Sequence, residues 1–276
     1  GTTRKLKNIA KTSLLYNSKI AVTENDDIKN IFTGRNISVL DDILSIINKY
    51  EPAYQNILKY ILMSILHLCK ITDKHSNSQW PLWIPKTDCV EKNIIDIYTK
   101  KIKKFFDVIP FMKNNYADSQ IAESYNMLSP GNCLLLQKGS QLITEHDIPD
   151  NGVDLIITDP PYLEQVLYSE YMQLYKPFLN LDYNLNDEII VSSAPSRSKN
   201  REDYFHLLDL VFNMCSHKLK LNHYLCLYFH DCNLNVWNEL ISILEKNCFR
   251  FITQIHIEKT VTLKNIISPK KSLNGD

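Results

Sequence analysis

The chain has 276 residues, 44% of them hydrophobic, enough for one large α/β domain or one domain with a helical insertion around a real core. Its 31 basic residues balance 31 acidic ones, which excludes a domain that is basic throughout; nucleic-acid contact would have to come from a local patch. The 7 cysteines, an odd number without Cys-x-x-Cys spacing and without a secretory leader, argue against a disulfide framework or a zinc site and for reduced thiols in a cytoplasmic protein.

Residues 1–50 are rich in Lys, Asn and Asp, and little in them fixes an element before Asp41. Asp41 to Lys49 carries Ile43, Leu44, Ile46 and Ile47 at helical spacing. Tyr54 to Leu68 continues the period with Ile57, Leu58, Ile61, Leu62, Ile65 and Leu66, so two helices joined near Pro52 are predicted. Ile57 to Ile71 is apolar, but Lys59 and Lys70 interrupt it and it falls short of the roughly 18–20 residues of a bilayer span. It reads as a buried helix, and no membrane contact is expected. Asp73 to Lys86 reads as a loop by its Ser, Asn and Pro content, with Trp80 and Trp83 suited either to anchoring it on the core or to stacking on bases. Asn93 to Val108 reads as an amphipathic helix ending before Pro110.

From Pro130 onward the pattern alternates. Strands are predicted at Cys133–Leu136, Asp154–Thr158, Tyr224–Phe229 and Arg250–Ile257, with helices at Glu202–Leu219 and Leu234–Asn247 between the later ones. Cys133 and Cys226 lie in apolar strand-like runs and read as core residues. The expected fold class is α/β, with a helical region and insert over 1–125 and a second region over 126–276.

One strand end stands out. Leu155, Ile156 and Ile157 form the continuous apolar run of a parallel strand buried on both faces, and Asp159, Pro160, Pro161 and Tyr162 stop it. Proline supplies no N–H and fixes φ, so the pair stiffens the turn and leaves the Asp159 and Pro160 carbonyls as acceptors. In an open α/β sheet, ligands bind beyond the carboxyl ends of strands. A carboxylate and two carbonyls would accept hydrogen bonds from an exocyclic NH2, and Tyr162 adds a flat face on which a base can stack.

Asp159-Pro160-Pro161-Tyr162, after Asp-Leu-Ile-Ile-Thr, resembles the catalytic motif of S-adenosylmethionine-dependent DNA amino-methyltransferases, which methylate adenine N6 or cytosine N4. Gly139-Ser140 and Ile148-Pro149-Asp150-Asn151 upstream, and Tyr168-Ser169-Glu170, Tyr228-Phe229-His230-Asp231 and Val236-Trp237 downstream, resemble further segments of prokaryotic DNA methylases. Trp80-Pro81-Leu82-Trp83-Ile84-Pro85-Lys86 resembles a segment between their two halves, so the likeness runs from about residue 55 onward. The resemblance implies a Rossmann-like, mostly parallel class I methyltransferase sheet, incomplete here, with 126–276 as its catalytic half. It implies DNA as partner and S-adenosylmethionine as cofactor, as in restriction-modification enzymes.

The family's glycine-rich turn for the cofactor is not found: none of the 6 glycines falls in a Gly-x-Gly arrangement. Gly1-Thr2-Thr3 does not continue as the family does, and Asn8-Ile9-Ala10-Lys11-Thr12 looks like sequence that follows the family's second strand. Relatives would continue beyond Asn274-Gly275-Asp276 into a last apolar strand. The expectation is an internal part of a methyltransferase or one chain of a split enzyme, completed by a second subunit or a missing cofactor-binding segment. In the alternative, Ile20-Ala21-Val22 and Ile37-Ser38-Val39-Leu40 form degenerate first and second strands.

The mechanism so implied rotates the target base out of the duplex and stacks it on Tyr162. Asp159 and the Pro160 carbonyl then accept its two amino N–H bonds, localising the nitrogen lone pair for attack and stabilising the charge that develops on nitrogen. No metal is required. Gly139, Ser140 and Asp159 are the expected cofactor contacts; the loop Ser192–Arg201, through Arg197, Lys199 and Arg201, reads either as a phosphate grip or as a solvated basic loop. His230 suits either the cleft or a structural strand end. Asp159 rather than Ser at the first motif position leans toward adenine, and Leu163, where RNA guanine-N2 methyltransferases commonly carry glycine, favours DNA. The remaining alternative is a catalytically silent DNA-binding subunit.

Overall fold

The computed structural model describes residues 5–14, 27–73, 88–163 and 167–255. In chain order its elements are α1 (Gly34–Ile47), α2 (Pro52–Met63), the single turn α3 (Leu66–Cys69), β1 (Thr72–Asp73), β2 (Cys89–Val90) and α4 (Ile94–Tyr116), then β3 (Ile121–Ala122), β4 (Cys133–Leu134) and β5 (Val153–Thr158). They continue as α5 (Tyr168–Leu179), α6 (Arg201–Lys218), β6 (Leu219–Leu227) and α7 (Leu234–Lys246). The chain forms two compact units: Gly1–Ala117 with Leu167–Asn186 and Ala194–Arg197, and Asp118–Val166 with Asp187–Ser193 and Ser198–Asp276. The units interleave in sequence, where a single boundary after residue 125 was expected.

The first unit is helical. Thr33 caps α1 by accepting from the Asn36 N–H at 3.1 Å. Ile37, Leu40, Ile43, Leu44 and Ile47 follow at helical spacing and are buried, so the period that predicts a helix begins earlier than Asp41. That placement rules out Ile37–Leu40 as a strand; Ile20–Val22 lies outside the described residues. Pro52 occupies the first turn of α2, where its missing N–H is not needed. Buried Asp41 accepts from the Asn8 backbone N–H at 2.6 Å and from that of Lys7 at 3.1 Å, tying the N-terminal segment to α1.

Two expectations change in this unit. Helix α4 does not end before Pro110 but runs through it to Tyr116. Beyond its first turns the helix is exposed, and a carbonyl freed by proline is tolerated where water can reach it. Helix α5 contains Pro177 and lacks a side-chain N-cap, yet it forms because Leu174 and Phe178 pack into the same core as α1 and α2.

The second unit is α/β. Strands β5 and β6 pair in parallel, with Leu155 opposite Tyr224, Ile157 opposite Cys226 and Thr158 opposite Leu227; β3 and β4 form a shorter parallel pair. Leu225 and Leu227 point to the face covered by α6 and α7, where Tyr204, Leu208, Phe212, Val236 and Leu240 are buried. The other face is open: Leu155 is 48% exposed, Ile157 63% and Tyr224 62%. The apolar run is therefore covered on one face, not both, and Cys133 and Cys226 are exposed rather than core. Strand β6 begins at Leu219, directly after α6 and earlier than expected, where Lys218 reaches Asp150 at 2.7 Å. No strand forms over residues 250–255, and 256–257 lie outside the described residues.

Among the described residues no helix is long and apolar enough to cross a membrane. The same residues contain no group of three or more His, Cys, Asp or Glu placed to hold a metal ion.

Candidate functional site

The end of β5 is fixed by hydrogen bonds from three separate parts of the second unit. The Tyr228 N–H donates to the Thr158 carbonyl at 2.9 Å, the Tyr204 hydroxyl to the Pro161 carbonyl at 2.6 Å, and the Val191 N–H to the Leu163 carbonyl at 3.1 Å. The Pro160 carbonyl accepts from no donor among the described residues. Asp159 is exposed and Pro160 buried. The turn therefore presents one carboxylate while most of its backbone is tied down.

Tyr162 lies between these anchors. Its hydroxyl donates to one oxygen of the Asp159 carboxylate, which leaves the second oxygen for another donor. Its ring meets Phe229 edge to face at 5.5 Å and 71°, and Phe229 meets Trp237 at 5.0 Å and 87°. The Trp237 indole N–H donates to the Asp231 carbonyl at 2.9 Å, and the Asp231 carboxylate accepts from the Asn233 N–H at 2.7 Å. Thus Tyr228–Asp231 and Val236–Trp237 back the tyrosine from behind. His230 is half-buried beside Phe229.

Sequence reading misses Tyr204. It sits in α6 as one apolar-face residue among several, fully buried, and burial pushes its phenol up to about 12. The available signal was chemical: a tyrosine on a core stripe carries a hydroxyl that needs a partner.

The other expected site residues come from other elements. Gly139 precedes a one-turn 3-10 helix, Ser140–Leu142, in which Ser140 is exposed. A Cβ at Gly139 would meet the Gln141 side chain at 2.8 Å, so that glycine accommodates its own neighbour. No hydrogen bond or ion pair among the described residues joins Gly139 or Ser140 to Asp159. Gly139 and Ser140 open that 3-10 helix without a side-chain cap.

The cations of the loop are used within the fold. Arg197 is buried in the helical unit, 2.6 Å from Glu170 and 3.1 Å from the Ser169 hydroxyl, so Tyr168-Ser169-Glu170 holds a buried ion pair there. In the second unit Lys199 donates to the Glu188 carbonyl, and burial lowers its ammonium. Arg201 lies 3.1 Å from Glu239 and 5.2 Å over the Phe205 ring. Trp80 and Trp83 lie outside the described residues.

No family model, curated protein or solved structure matches the chain.

Proposed function

We propose that this chain carries the base-recognising half of a DNA amino-methyltransferase acting on adenine N6 or cytosine N4. The observation that carries this reading is the turn beyond β5. It holds an exposed Asp159 carboxylate with one oxygen left over, a Pro160 carbonyl without a donor among the described residues, and an aromatic ring backed by Phe229 and Trp237.

An exocyclic amino group has two N–H bonds, and the free Asp159 oxygen and the Pro160 carbonyl are two acceptors for them. Donation to both draws the nitrogen away from conjugation with the ring and places negative charge where positive charge develops as the nitrogen attacks. Stacking on Tyr162 offsets part of the few kcal/mol needed to unstack the base. S-adenosylmethionine is the methyl donor in this reading. Gly139 and Ser140 supply part of its site in this reading, and the remainder lies elsewhere in a complete enzyme or on a second subunit.

A second reading has its own support. The lack of a Gly-x-Gly turn in the sequence also suits a DNA-binding subunit without transfer activity. Leu163 bears less on DNA against RNA than its identity suggests: its φ of 41° is left-handed, the region a glycine there would occupy at least cost.

Tritium transfer from labelled S-adenosylmethionine to unmethylated DNA and to RNA tests the assignment. Transfer to DNA that Asp159→Ala abolishes while DNA binding persists is the expected result. Substantial transfer by that variant sinks the role of Asp159, and DNA binding without transfer or cofactor binding in calorimetry favours the silent subunit.

A further inference from the structure

We propose that Tyr204 is a positioning residue for Tyr162, its hydroxyl fixing the backbone beside the tyrosine so that the ring meets a base in one orientation. The inference rests on reading Asp159–Tyr162 as a nucleobase site and adds to it a residue 43 positions away in sequence.

The geometry is specific. The Tyr204 hydroxyl donates to the Pro161 carbonyl at 2.6 Å, one residue before Tyr162. That bond also distinguishes the two prolines: among the described residues Pro161 has its acceptor occupied and Pro160 does not.

Tyr204 is itself held rigidly. Asn200 and Asp203 form a reciprocal capping box at the start of α6, at 2.8 and 2.9 Å, and Arg201 joins that helix to Glu239 of α7. The Tyr204 ring meets Phe205 edge to face at 5.1 Å. A side chain so fixed transmits the position of α6 to the motif.

The test is Tyr204→Phe in the full chain, which keeps the ring in the core and removes only the hydroxyl. Expected are a kcat for tritium transfer to DNA lowered about tenfold with KM nearly unchanged, a shifted 13C signal of the Pro161 carbonyl, and altered 13C signals from the Tyr162 ring. A merely structural tyrosine would lower the melting temperature without the kcat-against-KM split. Unchanged kcat and unchanged Tyr162 signals overturn the proposal. If the wild-type chain transfers no methyl group, the methyltransferase reading fails separately, and the Tyr162 and Pro161 signals alone decide whether Tyr204 holds the turn. Should the phenylalanine variant not fold, 3-fluorotyrosine at 204 strengthens the donor without changing its shape. The carbonyl 13C signal of Pro161 must then move, and an unmoved signal overturns the proposal.

Discussion

The hydroxyl of Tyr162 donates to the carboxylate of Asp159, so the two side chains on which base recognition would rest are each other's partners when no base is present. The tyrosine thereby has two separable parts. Its ring can stack on a base, while its hydroxyl holds the acid. Tyr162→Phe is expected to keep affinity for a 2-aminopurine-containing oligonucleotide within a few fold. Tyr162→Ala loses the stacking worth about 1–3 kcal/mol, read as weaker binding and less fluorescence quenching. Equal binding by the alanine variant would remove Tyr162 from the recognition surface.

Arg197→Ala leaves the Glu170 carboxylate buried without its cation, which costs about 3–5 kcal/mol in comparable buried pairs. Urea denaturation measures it, and a loss below about 1 kcal/mol would contradict a structural role. The complementary expectation concerns DNA. A phosphate contact changes the slope of log K against log salt by about one when removed, whereas Lys199→Ala and Arg201→Ala are expected to leave that slope unaltered.

Burial pushes the thiols of Cys69 and Cys215 up to about 12 and about 11. At pH 8 both are overwhelmingly protonated as well as inaccessible, so a thiol reagent should leave them unmodified in the native protein. Cys89, Cys133, Cys226, Cys232 and Cys248 are exposed and should react first. Mass spectrometry after brief labelling reads the order, and early modification of Cys69 would contradict its placement in the core.

Hydrogen bonds from Lys138 and then from Thr144 hold the Asp147 carboxylate down at about 2, below its ordinary 3.8. A depressed folded-state value favours folding above about pH 4, and that contribution disappears as the pH falls toward 2. Asp147→Asn should therefore lower the urea midpoint at pH 6, with the gap to wild type narrowing as the pH falls from 4 through 2. A constant difference between the two across that window would exclude the linkage.

The legible parts of this molecule are those whose cause is local. The 3.6-residue period marks α1, α2, α6 and α7, and the Asp-Pro-Pro-Tyr turn announces itself because two prolines must interrupt an apolar strand. What stayed hidden depends on distant partners. Nothing near Tyr168 signals α5, whose stability comes from Leu174 and Phe178 meeting α1 and α2. Strand β6 follows α6 with no glycine or proline between them, so its start at Leu219 had no punctuation. Arg197 reads as a phosphate ligand among Ser and Lys, and only the position of Glu170 identifies it as an ion-pair partner. Tyr204 is invisible for the same reason: its acceptor lies 43 residues earlier.

The uncovered side of β5 and β6 also governs how the protein must be handled. Leu155, Ile157 and Tyr224 stand on strands whose outer edges have no partner among the described residues, a combination that favours edge-to-edge association in concentrated solution. A solvatochromic dye such as ANS would light up on the native state, well before any melting transition. Ile157→Lys would quench that signal and raise the concentration at which the protein precipitates, with little effect on its melting temperature, since the side chain is already largely in water.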